Sequence, residues 1–415
     1  MFGVMSAASL VLPPAVLGQS RPRVVVVGGG AGGATAARYL AEGSGSKLDV
    51  ILIEESENYT SCFYSNLYLG GIRTYESITH NYSKLVSDYG VTMKQGRAVE
   101  VDRQARTVVM KDGTRVAYDR LILSPGIELK YDSVPGYTEA DSQIAPHAWQ
   151  GGAQTELLKQ KLDALENGQD IIMVAPPNPY RCPPGPYERV SMMAHTIKQR
   201  GFTDSRIYII DPKPSFSKQG LFSEGWVTYY PDIIEWFAPE VHGGIVEVDS
   251  KAGTVETDLD TFEGALLNII PAQKAGAIAA TAGLTDGTGF CQIDADSMRS
   301  VVDANIFVIG DASIAGAMPK SAFSANSQAK VAAMTIRADL LSSQQRPARY
   351  SNVCWSLIAT DDSVKVGATY APNDDGTIDS TSTFISQNGE EANIRKATYE
   401  ESANWYASIV ADMFG

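Results

Sequence analysis

Cysteine and histidine are what this chain has least of. Its 415 residues include four cysteines and four histidines. Cys62, Cys182, Cys291 and Cys354 stand far apart with no CxxC, which excludes zinc-type spacing. His80, His147, His195 and His242 form no ligand-spaced pair, and no CxxCH haem site occurs. The expectation is that the chain carries no metal or haem of its own. Positive charge is also scarce: 34 Lys and Arg face 48 Asp and Glu, for a net charge of -14. That argues against nucleic acid and anionic membrane surfaces and suits a basic protein partner. No stretch is long and apolar enough to make a convincing transmembrane helix.

Residues 2–18 (FGVMSAASLVLPPAVLG) are small and apolar, and no Lys or Arg precedes Arg21. They read as the h-region and small-residue end of a secretory signal. The expectation is a leader remnant over 1–20, its start and any twin-arginine motif lying upstream. The alternative is a disordered N-terminal arm. Export would bring the chain into an oxidising compartment where disulfides persist.

What is present begins at Arg23. The run RVVVVGGGAGGATAARYL reads as strand, glycine-rich turn and helix. Gly28, Gly30 and Gly33 fit a dinucleotide fingerprint: a tight turn, close backbone approach to a pyrophosphate, and close helix–strand packing. The pyrophosphate would sit at the helix N-terminus. A second apolar strand, 48–53, leads to Glu54, placed to hold a ribose and to repel a 2′-phosphate. A loop follows with Cys62 among Tyr59, Phe63 and Tyr64. Two readings of Cys62 stay open, a covalent tether to a flavin methyl and a buried free thiol. Further on, 82–127 reads as helix, strand and hairpin, with a turn at Asp112 and Gly113 and a strand over 118–124.

A second βαβ pattern follows: a helix over 155–168, strand 169–175, helix 187–200 and strand 205–211. Where a second GxGxxG would stand, the chain reads PPNPYRCPPGPYERV. Prolines there remove the donors a second pyrophosphate needs, so nicotinamide binding is expected to be lost. Cys182 lies on this loop, at the C-terminal end of a parallel strand where open sheets place ligands. Glu188 is a short way beyond, and reads either as a proton handler or as a solvated acid in a helix first turn. Residues 266–273 read as one strand. Residues 306–309 form a strand that ends in Gly310 and Asp311, a GD box whose carboxylate can accept from a ribityl hydroxyl. The helix from 321 to 340 would aim its N-terminus at the flavin pyrimidine. The tail carries Cys354 and Trp355, a hairpin turning at Asp374, Asp375 and Gly376, and an amphipathic helix over 390–413.

The glycine fingerprint, the YTSCFYSNLYLGG loop, the YRCPPGPYERVSMMA segment, the GDAS box and the NVCWS segment together resemble the flavoprotein subunit of flavocytochrome c sulfide dehydrogenase. The likeness is co-linear from Arg23 to the end. It implies an α/β glutathione-reductase-like fold with two Rossmann-type dinucleotide-binding domains and a C-terminal interface domain. It implies FAD joined through Cys62, a redox-active disulfide between Cys182 and Cys354, Glu188 as proton handler, and no role for Cys291, a free thiol. It also implies sulfide as substrate, zero-valent sulfur or polysulfide as product, a cytochrome c subunit as acceptor and partner, and a periplasmic location. The domain boundaries expected are 21–150 and 276–345 for FAD binding, 151–275 for the second nucleotide-binding-like domain, and 346–415 for the flavin-covering unit. Two rival readings are a sulfide:quinone oxidoreductase and a non-catalytic flavoprotein. Glu390, Glu391, Glu400 and Glu401 make the last helix acidic, which argues against docking on a membrane.

Overall fold

The computed structural model describes residues 21–415, so the leader expected over 1–20 lies outside the described residues. Its principal elements in chain order begin with β1 (Arg23–Val27), α1 (Ala31–Ser44), β2 (Asp49–Glu54) and α2 (Ser65–Leu69). Next come β3 (Thr92–Gln95), β4 (Arg120–Leu123), β5 (Ile127–Lys130), α3 (Ala153–Asp163) and β6 (Ile171–Val174). Then follow α4 (Gly185–Gln199), β7 (Ile207–Ile210), α5 (Gln219–Tyr229), β8 (Ile234–Phe237), β9 (Leu266–Ile269) and β10 (Ala272–Ala275). The chain closes with β11 (Ile306–Val308), α6 (Ala322–Leu341), β12 (Tyr350–Ala359), β13 (Asp362–Pro372), β14 (Ile378–Ile385) and α7 (Ala392–Phe414).

Two parallel sheets organise these elements. The first runs β11-β4-β1-β2-β3, with every pairing parallel. Val24, Val25 and Val26 of β1 are fully buried, as a central strand covered on both faces requires. Strand β11, far along the chain, completes this sheet beside β4, which brings the GD box to the glycine turn. The second sheet runs β8-β7-β6-β9, again all parallel. Sequence and structure differ over 266–273. Pro271 has no N–H to give a ladder, and the chain divides there. Strand β9 joins the second sheet, and β10 pairs antiparallel with β5.

The tail forms an antiparallel meander, β12-β13-β14, whose second turn holds Asp374, Asp375 and Gly376 as expected. Helix α3 stops at Asp163, short of the expected 168, and α7 runs 392–414. The buried stripe of α7 is partly polar, with Arg395, Thr398 and Ser402 beside Tyr406, Ile409 and Met413. Arg395 is matched there by Asp362 at 3.2 Å and Glu224 at 2.9 Å, so its charge is paired inside the fold. No helix among the described residues is long and apolar enough to cross a membrane.

Candidate active site

The C-terminal ends of the first sheet open on a cavity of about 440 Å³. Its floor is the turn after β1. Gly28 has φ +97°, and a Cβ there would lie 2.3 Å from the Ser124 carbonyl oxygen. A Cβ at Gly33 would lie 1.8 Å from the Gly28 carbonyl oxygen, so α1 can approach the turn only as glycine. At Gly30 the nearest atom to such a Cβ is the Tyr59 ring at 3.4 Å, which leaves the N-terminus of α1 open towards the cavity. Glu54 lines the same space. Its Oε2 accepts from the Gly29 N–H at 2.6 Å and its Oε1 from Ser56 at 2.9 Å.

On the other side stand Gly310 and Asp311. Gly310 has φ +73° and donates its N–H to Gln328 at 2.7 Å. Asp311 faces the Arg181 guanidinium at 3.6 Å, while its Oδ1 is buried with no hydrogen-bond partner among the described residues. A buried carboxylate oxygen with no donor is costly, and a ligand hydroxyl would satisfy it. Helix α6 begins at the cavity, with Lys320, Ser321 and Ala322 in its wall. The Ser321 hydroxyl caps it by accepting from the Ser324 N–H at 3.0 Å.

Cys62, Cys182 and Cys354 all line this cavity, on three segments far apart in sequence. All four cysteines are free thiols in this structure. The bridge implied for Cys182 and Cys354 is therefore not formed here, although both cysteines lie at one cavity. Cys291 is buried away from it, its thiol pushed up to about 12 by burial. Cys182 has φ +54°, unusual for a side-chain-bearing residue. Its backbone is clamped, with its N–H on the Lys320 carbonyl at 2.7 Å and its carbonyl accepting from Gly185 at 2.7 Å. Gly185 opens α4, and a Cβ there would lie 2.8 Å from the Cys182 sulfur. Burial raises the Cys182 thiol well above its usual range, and the Cys354 sulfur and Glu188 add to this. Burial raises the Cys354 thiol too.

Glu188, in the first turn of α4, is open only in part and lines the same cavity. Its Oε2 accepts from Asn66 at 2.8 Å and its Oε1 from the Leu357 N–H at 2.9 Å. Burial raises its pKa, and these two donors act against the rise.

Several site residues had no reading in the sequence. Asn66, on α2, donates to Glu188 and accepts from Arg189 Nε at 3.1 Å. Lys218 is buried, and its ammonium donates to the Cys354 carbonyl at 3.0 Å and to Ser356 at 2.8 Å. Burial lowers its pKa to about 8, against the pull of Cys354, Glu188 and Cys182. An aromatic wall joins Phe63, Phe323, Trp355 and Trp405. The Phe323 and Trp405 rings lie 5.9 Å apart at 2°, and Trp355 is 5.0 Å from Trp405. Phe323, Trp405 and the lone buried Lys218 belong to no motif, and only the folded chain brings the first two to Phe63 and Trp355, which the sequence places beside Cys62 and Cys354.

The corresponding end of the second sheet differs. Asp211, just after β7, is fully buried, where an acid would hold a nicotinamide ribose. It is taken up by Lys213 at 2.6 Å, by the Tyr187 hydroxyl at 2.5 Å and by Trp236 Nε1 at 3.0 Å. Tyr187 stacks on Phe216 at 3.6 Å.

Comparison with known proteins adds to this geometry. Residues 155–271 match the family described as sulfide dehydrogenase (flavocytochrome c) flavoprotein chain, central. Residues 346–414 match flavocytochrome c sulphide dehydrogenase, flavin-binding, and residues 22–167 match pyridine nucleotide-disulphide oxidoreductase. A mitochondrial sulfide:quinone oxidoreductase of Dictyostelium discoideum is 25% identical over 70% of this chain and 65% of its own. The corresponding protein of Mus musculus is 24% identical over 69% and 65%. The chain thus spans about 65% of the length of these relatives. Among solved structures, the sulfide:quinone oxidoreductase of Aquifex aeolicus superposes with a TM-score of 0.67 at 17% identity, covering 92% of this chain and 91% of its own. A ferredoxin reductase of Rhodopseudomonas palustris gives 0.66 at 18% identity, covering 89% of each chain. The fold is the glutathione-reductase-like one. With both flavocytochrome c matches lying on the segments that bring Cys182 and Cys354 to the cavity, this is a flavocytochrome c sulfide dehydrogenase flavoprotein-like chain.

Proposed function

We propose that this chain holds FAD in the large cavity, oxidises sulfide to zero-valent sulfur through Cys182 and Cys354, and passes the electrons to a cytochrome c partner. The observation that carries this reading is the meeting of Cys62, Cys182, Cys354 and Glu188 with the glycine turn and Asp311 around one space. The residues present fit the cofactor. The α1 N-terminus offers N–H groups to a pyrophosphate, and Glu54 offers acceptors to a ribose. The orphaned Asp311 Oδ1 suits a ribityl hydroxyl, and the α6 N-terminus suits the electron-rich end of the ring. Cys62 would supply the thiol of a covalent tether. Bound flavin supplies a two-electron sink that can release electrons one at a time.

The protein's own part is thiol chemistry. With Cys182 and Cys354 joined as a disulfide, HS⁻ bonds to one sulfur, the S–S bond breaks, and the other sulfur leaves as thiolate. The buried carboxyl of Glu188 holds or releases a proton beside these sulfurs. The clamped Cys182 backbone fixes one of the two sulfurs. The net charge of -14 suits a basic protein acceptor, and the apolar stretch at 2–18 suits export to the periplasm.

A quinone acceptor is the second reading, favoured by the named activity of the sulfide:quinone relatives. Anaerobic sulfide should bleach the flavin, and the reduced protein should then be reoxidised by cytochrome c faster than by a quinone. The opposite order would favour the quinone reading. Denaturation followed by peptide mass spectrometry should leave the flavin on the peptide containing Cys62, and free FAD in the supernatant would refute the tether.

A further inference from the structure

A second cavity, of about 310 Å³, lies beside the first, and Cys354 lines both. Cys182 lines only the first, while the two residues after it, Pro183 and Pro184, wall the second. The second cavity therefore reaches the thiol pair from the side that carries no cofactor-binding residue, and touches it at Cys354. Its floor is one face of the β13–β14 ladder. Val366, Ala368 and Tyr370 alternate along β13, and Ala368 and Tyr370 pair across to Thr383 and Ser380. Pro319 and Asn352 close it further. None of the described lining side chains carries a formal charge. Thr383, Ser380 and Ala317 are solvent-exposed, so the chamber has a mouth at the surface. Asn352 holds the Cys354 sulfur in place, its Nδ2 donating to it at 3.4 Å, and is itself held by the Ser321 hydroxyl at 2.5 Å.

We propose that this chamber admits sulfide and holds the growing sulfur chain, and that Cys354 is the sulfur attacked. The proposal rests on the sulfide-oxidising reading above and assigns its substrate and product side. An uncharged wall in which proline, valine and alanine stand beside Ser217, Asn352, Tyr370, Ser380 and Thr383 excludes bulky ions and admits a small sulfide species and a polarisable sulfur chain. The lining also distinguishes the two cysteines, because of the pair only Cys354 borders this chamber. HS⁻ entering here bonds to Cys354 Sγ, the Cys182–Cys354 bond breaks, and Cys182 leaves as thiolate on the flavin side. The persulfide Cys354–S–SH then points into the chamber. A second HS⁻ bonds to its outer sulfur, Cys354 leaves as thiolate, and H₂S₂ departs, releasing one proton to water as HSS⁻. The two thiolates that remain carry the electron pair, and oxidised flavin, the cofactor class assigned above, takes it as the disulfide re-forms.

The test uses flavin-loaded protein and fills the chamber from its exposed rim. Thr383→Trp should slow bleaching by sulfide by about tenfold or more, with dithionite still reducing the flavin at the wild-type rate. Ser380→Phe serves if Thr383→Trp does not fold. A one-equivalent anaerobic sulfide pulse, trapped with an alkylating reagent, should leave extra sulfur mass on the peptide containing Cys354. Extra sulfur on Cys182 instead, or unchanged bleaching in both filled variants, would overturn the chamber assignment while leaving sulfide oxidation intact. Wild-type protein that sulfide does not bleach would overturn the sulfide reading, and the chamber's occupant with it.

Discussion

Asn66 Nδ2 donates to Glu188 Oε2 at 2.8 Å, and the same amide accepts from Arg189 Nε at 3.1 Å. This side chain and the Leu357 N–H at 2.9 Å together fix the carboxyl that shares the cavity with Cys182 and Cys354. A donor to a carboxylate stabilises its charged form, so Asn66→Ala should raise the Glu188 pKa further. The limb of the pH–rate profile that reports Glu188 should move to higher pH. The variant should also lose about 1–3 kcal/mol of stability, because Arg189 Nε keeps its burial and loses an acceptor. Glu188→Gln should slow sulfide-driven flavin reduction by about 100-fold if the carboxyl moves a proton. The stability sign follows from the raised pKa. Folded protein binds more protons at this group above pH 4.5, so wild-type stability falls as pH rises through the folded value. Glu188→Gln should lack that fall, as urea titrations at several pH values will read.

Lys218 supplies a buried cation beside Cys354, whose carbonyl it holds at 3.0 Å. It lowers both active-site thiols against the burial that raises them. Lys218→Met should therefore shift alkylation of the reduced thiols to higher pH, measured as iodoacetamide rate against pH. Its own pKa, held down to about 8 by burial, also gives a stability signature. Between that value and the ordinary 10.5 the unfolded chain binds the extra proton, so wild-type stability rises with pH. The difference between wild type and Lys218→Met should grow by about 3 kcal/mol across this window. A flat difference would mean that the ammonium is solvated.

Gly33→Ala tests the cofactor cradle. The added Cβ would sit 1.8 Å from the Gly28 carbonyl oxygen, a contact between two backbone segments that no rotamer can relieve. The turn would have to open, at a cost of about 1–3 kcal/mol, and flavin loading should fall sharply. Absorbance of the purified protein and its thermal midpoint are the readouts. Gly30→Ala, where the nearest atom is 3.4 Å away, should keep the wild-type midpoint yet still lose flavin.

Much of this was legible in the chain. Gly28 and Gly33 could be read because only one residue type fits a positive φ or a backbone contact of that closeness. Asp311 could be read because the strand before it is short and wholly apolar. Strand β9 was placed correctly at its start, but 266–273 was read as one element because its two halves are both apolar and only Pro271 marks the break. Asn66, Lys218 and Trp405 could not be read. Each belongs to a segment whose local pattern is an ordinary helix or loop, and each gains its role from a partner more than 80 residues away. The state of the Cys182 and Cys354 sulfurs is likewise set by redox chemistry and not by residue order.

The second sheet argues a last outcome. A nicotinamide nucleotide would need donors after β6 and a free acid after β7. Pro176, Pro177 and Pro179 follow β6, and Asp211 after β7 already holds Lys213, Tyr187 and Trp236. The Lys213 ammonium also donates to the Pro176 carbonyl at 2.7 Å, which ties the proline loop to this pair. NADH and NADPH should therefore leave the flavin oxidised under anaerobic conditions that let sulfide bleach it. Asp211→Asn should not create such an activity. It should instead leave Lys213 buried without its counter-charge and cost about 3–5 kcal/mol, visible as a lower midpoint in urea. Bleaching of the wild-type protein by NADH at a rate near that with sulfide would show that the second domain still binds a dinucleotide.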